Sequence, residues 1–157
     1  ISRLRTTHER IFEALDAASI SLFAQHVAQL DTGTLIDIFR AEENSCLLGT
    51  DAVRDGIDVP GRSLRLIVFD RVPWPRPTIL HKARKNKFGG QAYDDMLTRL
   101  KLKQAYGRLL RQREDKGVLV MLDSGLPSRL LSAFPPGVES NRVSLFKAIK
   151  TIRNFVD

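Results

Sequence analysis

The length, composition and charge of the chain exclude several classes of protein. It has 157 residues, 43% of them hydrophobic, and a net charge of +7, which is enough for one domain with a buried core. No apolar run approaches the roughly 20 residues that cross a bilayer, and a single cysteine, Cys46, rules out an internal disulfide or a cysteine metal cluster. We therefore predict one domain over residues 1–157, located in the reducing cytoplasm, without membrane contact.

The first third of the chain alternates helix-like and strand-like patterns. Apolar positions with helical rhythm predict a helix over residues 2–18 and a second helix that is capped by Thr32 or Thr34. Short apolar runs predict strands at "ISLFAQH" (20–26) and "SCLLGT" (45–50), the latter covered on both faces. Because the first residue is Ile1 rather than Met and a helical pattern begins almost at once, we expect the chain to be part of a longer polypeptide.

The middle of the chain contains two loops that each follow a strand. "DAVRDGIDVPG" (51–61) is rich in turn residues and is predicted to be a functional loop. "SLRLIVFD" (63–70) is predicted to be a strand, and three prolines in "RVPWPRP" (71–77) require an extended loop after it. Ligands of parallel sheets gather at the carboxyl ends of strands, so these two loops are the first candidates for function.

The remaining elements complete an α/β pattern. Helices are predicted over residues 78–88, 93–113 and 143–156, with a buried strand at "GVLVMLD" (117–123). Four short strands separated by helices predict an α/β domain with a mainly parallel sheet flanked by helices.

The positive charge is concentrated in one segment. Between Arg71 and Lys116 there are thirteen Lys or Arg against four acidic residues, a net charge of +9. Such a surface suits a polyanionic partner such as nucleic acid or a nucleotide phosphate chain. A solvated surface that only aids solubility explains the charge about as well.

One face of the predicted helix 93–113 carries a polar stripe. With 100° per residue and Gln104 at zero, Arg108 falls at roughly 40° and Arg111 at roughly 340°. Gly107 lies beside them at roughly 300° and costs about 1 kcal/mol relative to Ala. Apolar residues occupy the opposite side of the helix, at Leu102, Ala105, Tyr106, Leu109 and Leu110.

The stripe has two interpretations. Two converging guanidinium groups suit a phosphate, and the glycine leaves room for its close approach. Alternatively, this is a surface helix whose arginines pair with Glu114 or Asp115. The histidines His8, His26 and His81 have no metal-site spacing, so we predict structural roles for them and no metal site.

Three segments in order resemble one protein family. "QAYGRLLR" (104–111) resembles motif VI, Gln-x-x-Gly-Arg-x-x-Arg, of superfamily two helicases, and "GTDAVRDGIDVPG" (49–61) resembles their motif V as found in the DinG and XPD group. Between them, "LRLIVFDRVPWPRP" (64–77) is similar to that group's strand and Pro-rich loop, with Trp74 in place of phenylalanine. Asp55 stands where the group usually has Glu before the motif V glycine.

The resemblance implies the C-terminal, RecA-like motor domain of a DinG/XPD-like ATP-dependent DNA helicase. This P-loop-NTPase-type fold would have no Walker A motif of its own, and no G-x-x-x-x-G-K-[ST] occurs in the chain. ATP and Mg would be held mainly by a missing N-terminal motor domain. The chain alone is therefore expected to bind neither and to be inactive, while single-stranded DNA and the N-terminal motor domain are its implied partners.

The resemblance also implies roles for individual residues. Arg108 and Arg111 would be catalytic and face the γ-phosphate, with Arg111 as the arginine finger. Other nucleotide-binding positions would be Gln104, Gly107, Gly56 and Asp58, and nucleic-acid-binding positions would be Gly49, Thr50, Arg54 and Trp74.

Residue chemistry leaves simpler alternatives for several of these positions. Asp58 could bond its own loop, Thr50 could cap a strand end, and Trp74 could pack in the core rather than stack on a base. For the whole chain, the alternatives are a nucleic-acid-binding module without motor function and a stand-alone enzyme for a small phosphorylated substrate. The last lacks a base and nucleophile at useful spacing.

Overall fold

A computed structural model of the chain describes residues 1–27, 29–56, 58–59, 64–110 and 115–156. The described residues divide into two units. The first extends to Leu64 and includes Asp115, and the second comprises Arg65–Leu110 and residues 116–156. Each unit is built around one pair of parallel strands.

The first unit contains a parallel strand pair with three helices. Strands β1 and β2 run parallel in the register Ser21↔Ser45 to Ala24↔Leu48. The elements are α1 (Ser2–Ala17), β1 (Ser21–Ala24), α2 (Thr32–Ala41), β2 (Ser45–Leu48) and α3 (Asp51–Gly56). Its buried hydrophobic residues are Ala24, Leu35, Ile36, Phe39, Val53, Val59 and Leu64.

Two predictions for the first unit are wrong. The cap of α2 is Asp31, not Thr32 or Thr34, because the Asp31 carboxylate accepts the backbone N–H groups of Gly33 at 2.8 Å and Thr34 at 3.1 Å. The segment predicted as a loop from residue 51 begins with the helix α3. That helix is anchored by Val53, which is only 6% exposed and packs against Gly49.

The second unit holds the other strand pair. Strands β3 and β4 are parallel, from Leu66↔Val118 to Phe69↔Met121. In chain order the elements are β3 (Leu66–Phe69), α4 (Ile79–Lys87), α5 (Gln91–Leu109), β4 (Val118–Met121), a 3₁₀ helix (Ser128–Ala133) and α6 (Leu145–Val156). Its core comprises Val72, Leu102, Leu130 and Ala133, with Phe69, Trp74, Met121, Leu126 and Phe134 packed around them.

The long helix α5 is shorter than predicted. It ends at Leu109, and Leu110 is extended, so the prediction that the helix runs to Arg113 is wrong. The last residue of the helix, Leu109, is buried, and its side chain packs directly on Gly117, the residue before β4. The strands are also less buried than predicted: β2 and β4 are half-buried, and Leu66 and Val68 of β3 are exposed.

The predicted fold class is confirmed, since short parallel strand pairs are flanked by helices. No helix in the described part of the chain is both long and apolar enough to span a membrane. The prediction of a single domain over residues 1–157 stays a prediction.

Candidate functional site

The two faces of α5 are those that the helical angles predicted. Leu102 is fully buried, and Ala105 and Leu109 are at most 3% exposed. On the other side Gln104 is exposed and Arg108 is half-buried. The apolar face thus fixes the helix in the core and directs the Gln104 and Arg108 side chains away from it.

Gly107 lies on this polar face, and packing against the described residues does not explain it. A Cβ added to Gly107 would have no neighbour within 4 Å among the described residues outside its own stretch of helix. At Gly117, by contrast, an added Cβ would overlap the Leu109 side chain. Gly117 is therefore required by packing, whereas Gly107 leaves an open surface beside Arg108.

The predicted arginine finger, Arg111, lies outside the described residues. Its position on a common stripe with Gln104 and Arg108 assumed a helix that continues past Leu109. Because α5 ends at Leu109, helical periodicity places only Gln104, Gly107 and Arg108 together, and the role of Arg111 stays a prediction.

In the first unit, the end of β2 is tied to the end of β1. The side-chain oxygen of Gln25 accepts both the backbone N–H of Thr50, at 3.0 Å, and its hydroxyl, at 2.8 Å. Gly49 precedes Thr50 and is exposed, but an added Cβ there would overlap the Val53 side chain. Gly49 therefore has a packing role whatever it binds.

Thr50 also starts α3. Its carbonyl accepts the backbone N–H groups of Val53 at 3.1 Å and Arg54 at 3.3 Å. Arg54 turns back within the helix and forms an ion pair with Asp51 at 3.0 Å, leaving its side chain 12% exposed. A contact between Arg54 and DNA would have to share this guanidinium with Asp51.

Two of the predicted nucleotide-binding positions lie in the rest of the segment that resembles motif V. Gly56 is the last residue of α3. Asp58 is exposed, and its backbone carbonyl accepts a hydrogen bond from Arg40 Nε at 2.8 Å. Arg40 therefore fixes the backbone at Asp58, which leaves the carboxylate on the surface.

The Pro-rich loop is held by its ends. Trp74 is half-buried and packs against the core that Val72 and Leu102 form, which supports the packing interpretation of this residue. Asp123, after β4, accepts the backbone N–H of Val72 at 3.1 Å and that of Gly125 at 2.9 Å. These two bonds lower the pKa of Asp123 below its ordinary value.

Two buried carboxylates on α5 were not singled out from the sequence. Asp94 is hydrogen-bonded to His81 Nε2 at 2.8 Å and to Lys85 Nζ at 2.5 Å, and so fastens α4 to α5. Burial opposes its ionisation, but the bonds from Lys85 and His81 prevail and lower its pKa. His81 therefore has a structural role, as predicted from the sequence.

Its neighbour Asp95 fastens the 3₁₀ helix to α5. Arg129 donates to both carboxylate oxygens, at 2.5 and 3.2 Å, and Gln91 donates at 2.9 Å. The bonds from Arg129 and Gln91 hold the pKa of Asp95 below its ordinary value. Within the described ranges no cluster of three potential metal ligands occurs.

Comparison with known families decides the identity of this fold. Residues 1–139 match the family described as "Helicase C-terminal domain". The chain belongs to that family. This membership confirms the resemblance to the C-terminal domain of DinG-type helicases and, with it, the RecA-like fold.

Several curated relatives of this helicase domain are much longer. It is 34% identical over 129 residues to the "ATP-dependent helicase DinG" of Mycobacterium tuberculosis, a match that covers 74% of this chain and 19% of the relative. The "3'-5' exonuclease DinG" of Bacillus subtilis is 31% identical, with 76% and 14% covered. The "ATP-dependent DNA helicase YoaA" of Escherichia coli is 32% identical, with 71% and 20% covered. The chain thus spans at most about a fifth of these proteins.

Proposed function

We propose that this helicase domain is the second motor domain of an ATP-dependent DNA helicase. It would act on ATP held by an N-terminal motor domain of the same polypeptide, which would supply the phosphate-binding loop and the Mg-binding acid. The observation that carries this proposal is the open surface at Gly107 beside Arg108 and Gln104 on the polar face of α5. A glycine that no described residue packs against, next to a guanidinium, suits the close approach of a phosphate.

The arginines would act on charge that develops during phosphoryl transfer. Arg108 and Arg111 would donate hydrogen bonds to the γ-phosphate oxygens, with Arg111 as the finger that stabilises the transition state. Gln104 would position the phosphate or connect it to the other motor domain. Because these side chains act together with groups of another domain, the 157-residue chain should not hydrolyse ATP alone.

The motif V segment would connect the nucleotide with the DNA. Gly56 and Asp58 would lie at the nucleotide, and the Arg40 bond to the Asp58 backbone supports a defined position for that carboxylate. Gly49, Thr50 and Arg54 would contact the backbone of single-stranded DNA. Trp74 would contact DNA only through the exposed part of its side chain, because the rest packs against the core.

The experiment for this proposal is replacement of Arg111 by Ala in the full-length protein, with Arg111→Lys as the control that keeps the charge but not the two-pronged donor geometry. DNA-stimulated ATP hydrolysis should fall by about 10³-fold or more, while binding of a fluorescent ATP analogue persists. Unchanged ATP hydrolysis in Arg111→Ala would contradict the finger assignment.

A nucleic-acid-binding module without motor function is the second candidate. It is favoured by α4, on which Lys82, Arg84 and Lys87 are all exposed and no acidic residue occurs. For such a module, changing Arg108 or Arg111 would reduce DNA affinity, and the full-length protein would have no ATP hydrolysis to lose. Measuring both properties on the same variants separates the two candidates.

A further inference from the structure

The side chain of Gln25 occupies a central position at the end of the first strand pair. Gln25 follows β1 and is only 5% exposed. Its Oε1 accepts both donors of Thr50, and its Nε2 donates to Thr32 Oγ1 at 3.0 Å. One carboxamide therefore joins the ends of both strands to the first turn of α2.

Hydrogen-bonding capacity fixes the orientation of this carboxamide. The backbone N–H of Thr50 can only donate, so the Gln25 atom that faces it must be the oxygen. A flipped amide would place two donors face to face. Thr50 consequently gives both of its donors, the N–H and the O–H, to a single oxygen atom of Gln25.

Two donors that converge on one oxygen also suit an oxygen of a phosphate. Phosphate diester oxygens only accept hydrogen bonds, and the Thr50 hydroxyl has a single hydrogen. A hydrogen bond from this hydroxyl to DNA therefore requires that it leave Gln25. Thr50 is partly exposed and Gly49 beside it is exposed, so the hydroxyl can turn toward solvent.

We propose that Gln25 competes with the DNA backbone for the hydroxyl hydrogen of Thr50 and so weakens the hold of this strand end on DNA. The inference rests on the proposed function, because it requires Thr50 to contact DNA. A motor that steps along a strand must release each phosphate that it binds, and an internal competitor reduces the free energy that each release requires.

The backbone of Thr50 has attachments in addition to Gln25. Its carbonyl accepts the N–H groups of Val53 and Arg54 in α3, and the residues before it belong to the β1–β2 ladder. We therefore expect that loss of the Gln25 oxygen releases the Thr50 hydroxyl while these other attachments hold the strand end in place. The expected consequence is tighter binding, which is the opposite of what damage to the fold would cause.

The experiment measures the affinity of the full-length protein for labelled oligothymidylate by fluorescence anisotropy without ATP. Gln25→Met keeps the length of the side chain and removes the amide oxygen. It should tighten binding by about fivefold, the equivalent of one net hydrogen bond. Thr50→Val should weaken binding, and adding Gln25→Met to Thr50→Val should change nothing further, because no hydroxyl remains to compete for.

Each other outcome overturns a defined part of the inference. If Thr50→Val weakens binding and Gln25→Met weakens it too or leaves it unchanged, the competition is refuted, while Thr50 keeps its DNA contact. If Thr50→Val has no effect, the DNA contact of Thr50 and the competition both fail. The motor function is judged separately, by ATP hydrolysis in Arg111→Ala.

A second variant covers the case in which Gln25→Met does not fold. Thr32→Val removes the acceptor that holds the Gln25 amide, and Thr32→Ser keeps it. Thr32→Val should tighten binding in the same direction by a smaller factor, with Thr32→Ser unchanged. Equal affinities for the two Thr32 variants would overturn the competition.

Discussion

The Asp123 carboxylate accepts the backbone N–H of Val72 at 3.1 Å, which ties the Pro-rich loop after β3 to the residue that follows β4. The two residues are 51 positions apart in the chain. Val72 is buried in the core on which Trp74 packs. The carboxylate that follows β4 thus positions the loop that follows β3, its parallel neighbour. Both lie at the carboxyl ends of the strands, where α/β folds bind ligands.

This relationship predicts a loss of stability in acid. The pKa of Asp123 is lowered in the folded protein by the backbone bonds from Val72 and Gly125, so the folded state binds the proton less readily than the unfolded chain. Its contribution is complete above the ordinary value of 3.8 and is lost as the pH falls through the lower folded value. Thermal melts of the full-length protein between pH 6 and 3 should show a smaller decrease in Tm for Asp123→Asn than for the wild type.

The neighbouring exposed residue supplies the control. Ser124→Ala should follow the wild-type curve, because Ser124 is exposed. An Asp123→Asn curve parallel to the wild type over the whole range would show that this carboxylate does not contribute to the acid sensitivity.

Much of the fold could be predicted from periodicity. All four strands and the helices α1, α2, α4, α5 and α6 lie close to where the sequence pattern placed them, since apolar spacing is a local property of the sequence. Helix α3 was missed because the segment 51–61 is rich in turn residues, and the burial of Val53 that stabilises the helix depends on packing. Asp31 was missed as a cap because Thr32 and Thr34, one and three residues later, carry the same kind of cap chemistry.

Less of the candidate site than of the fold could be predicted from the sequence. The two faces of α5 were predicted, but its end at Leu109 was not, because the apolar spacing continues through Leu110. Gln25 and Asp94 could not be found by spacing, because their partners lie 25 and 13 residues away along the chain. The available signals were a polar residue at the end of a strand, for Gln25, and a polar residue on the apolar face of a helix, for Asp94.

Gly107→Ala should separate stability from activity. The added Cβ meets no described atom within 4 Å, and Ala favours the helix by about 1 kcal/mol over Gly. The variant should therefore unfold at a higher urea concentration than the wild type. If a phosphate approaches this surface, DNA-stimulated ATP hydrolysis by the full-length protein should nevertheless fall.

Gly117→Ala is the matched control for that experiment. The same substitution there overlaps the Leu109 side chain, so it should lower stability. Gly107→Ala with full ATP hydrolysis would argue against a nucleotide at this face. A loss of stability in Gly107→Ala would show that the glycine has a packing role.

The ionic attachment of α4 predicts that this helix opens independently of the core. No residue of α4 is buried, and His81 and Lys85 reach α5 through Asp94. Lys85→Met should leave Asp94 with one partner fewer and raise hydrogen exchange of the α4 amides several-fold, with little change at Leu102 or Leu109 in α5. Lys82→Met, an exposed position on the same helix, should leave the exchange unchanged; equal exchange in both variants would contradict the attachment through Asp94.

The exposed cations of α4 predict a measurable salt dependence if this helix contacts DNA. Each Lys or Arg that neutralises a phosphate of single-stranded DNA contributes about 0.7 to the slope of log affinity against log salt. Replacing Lys82, Arg84 and Lys87 by Gln should then lower the magnitude of this slope by about 2 in the full-length protein. Lys147→Gln and Lys150→Gln on α6 remove exposed charges elsewhere and serve as the control. Equal slopes in both sets would show that the positive charge of α4 is a solvated surface, and the second candidate function would lose its support.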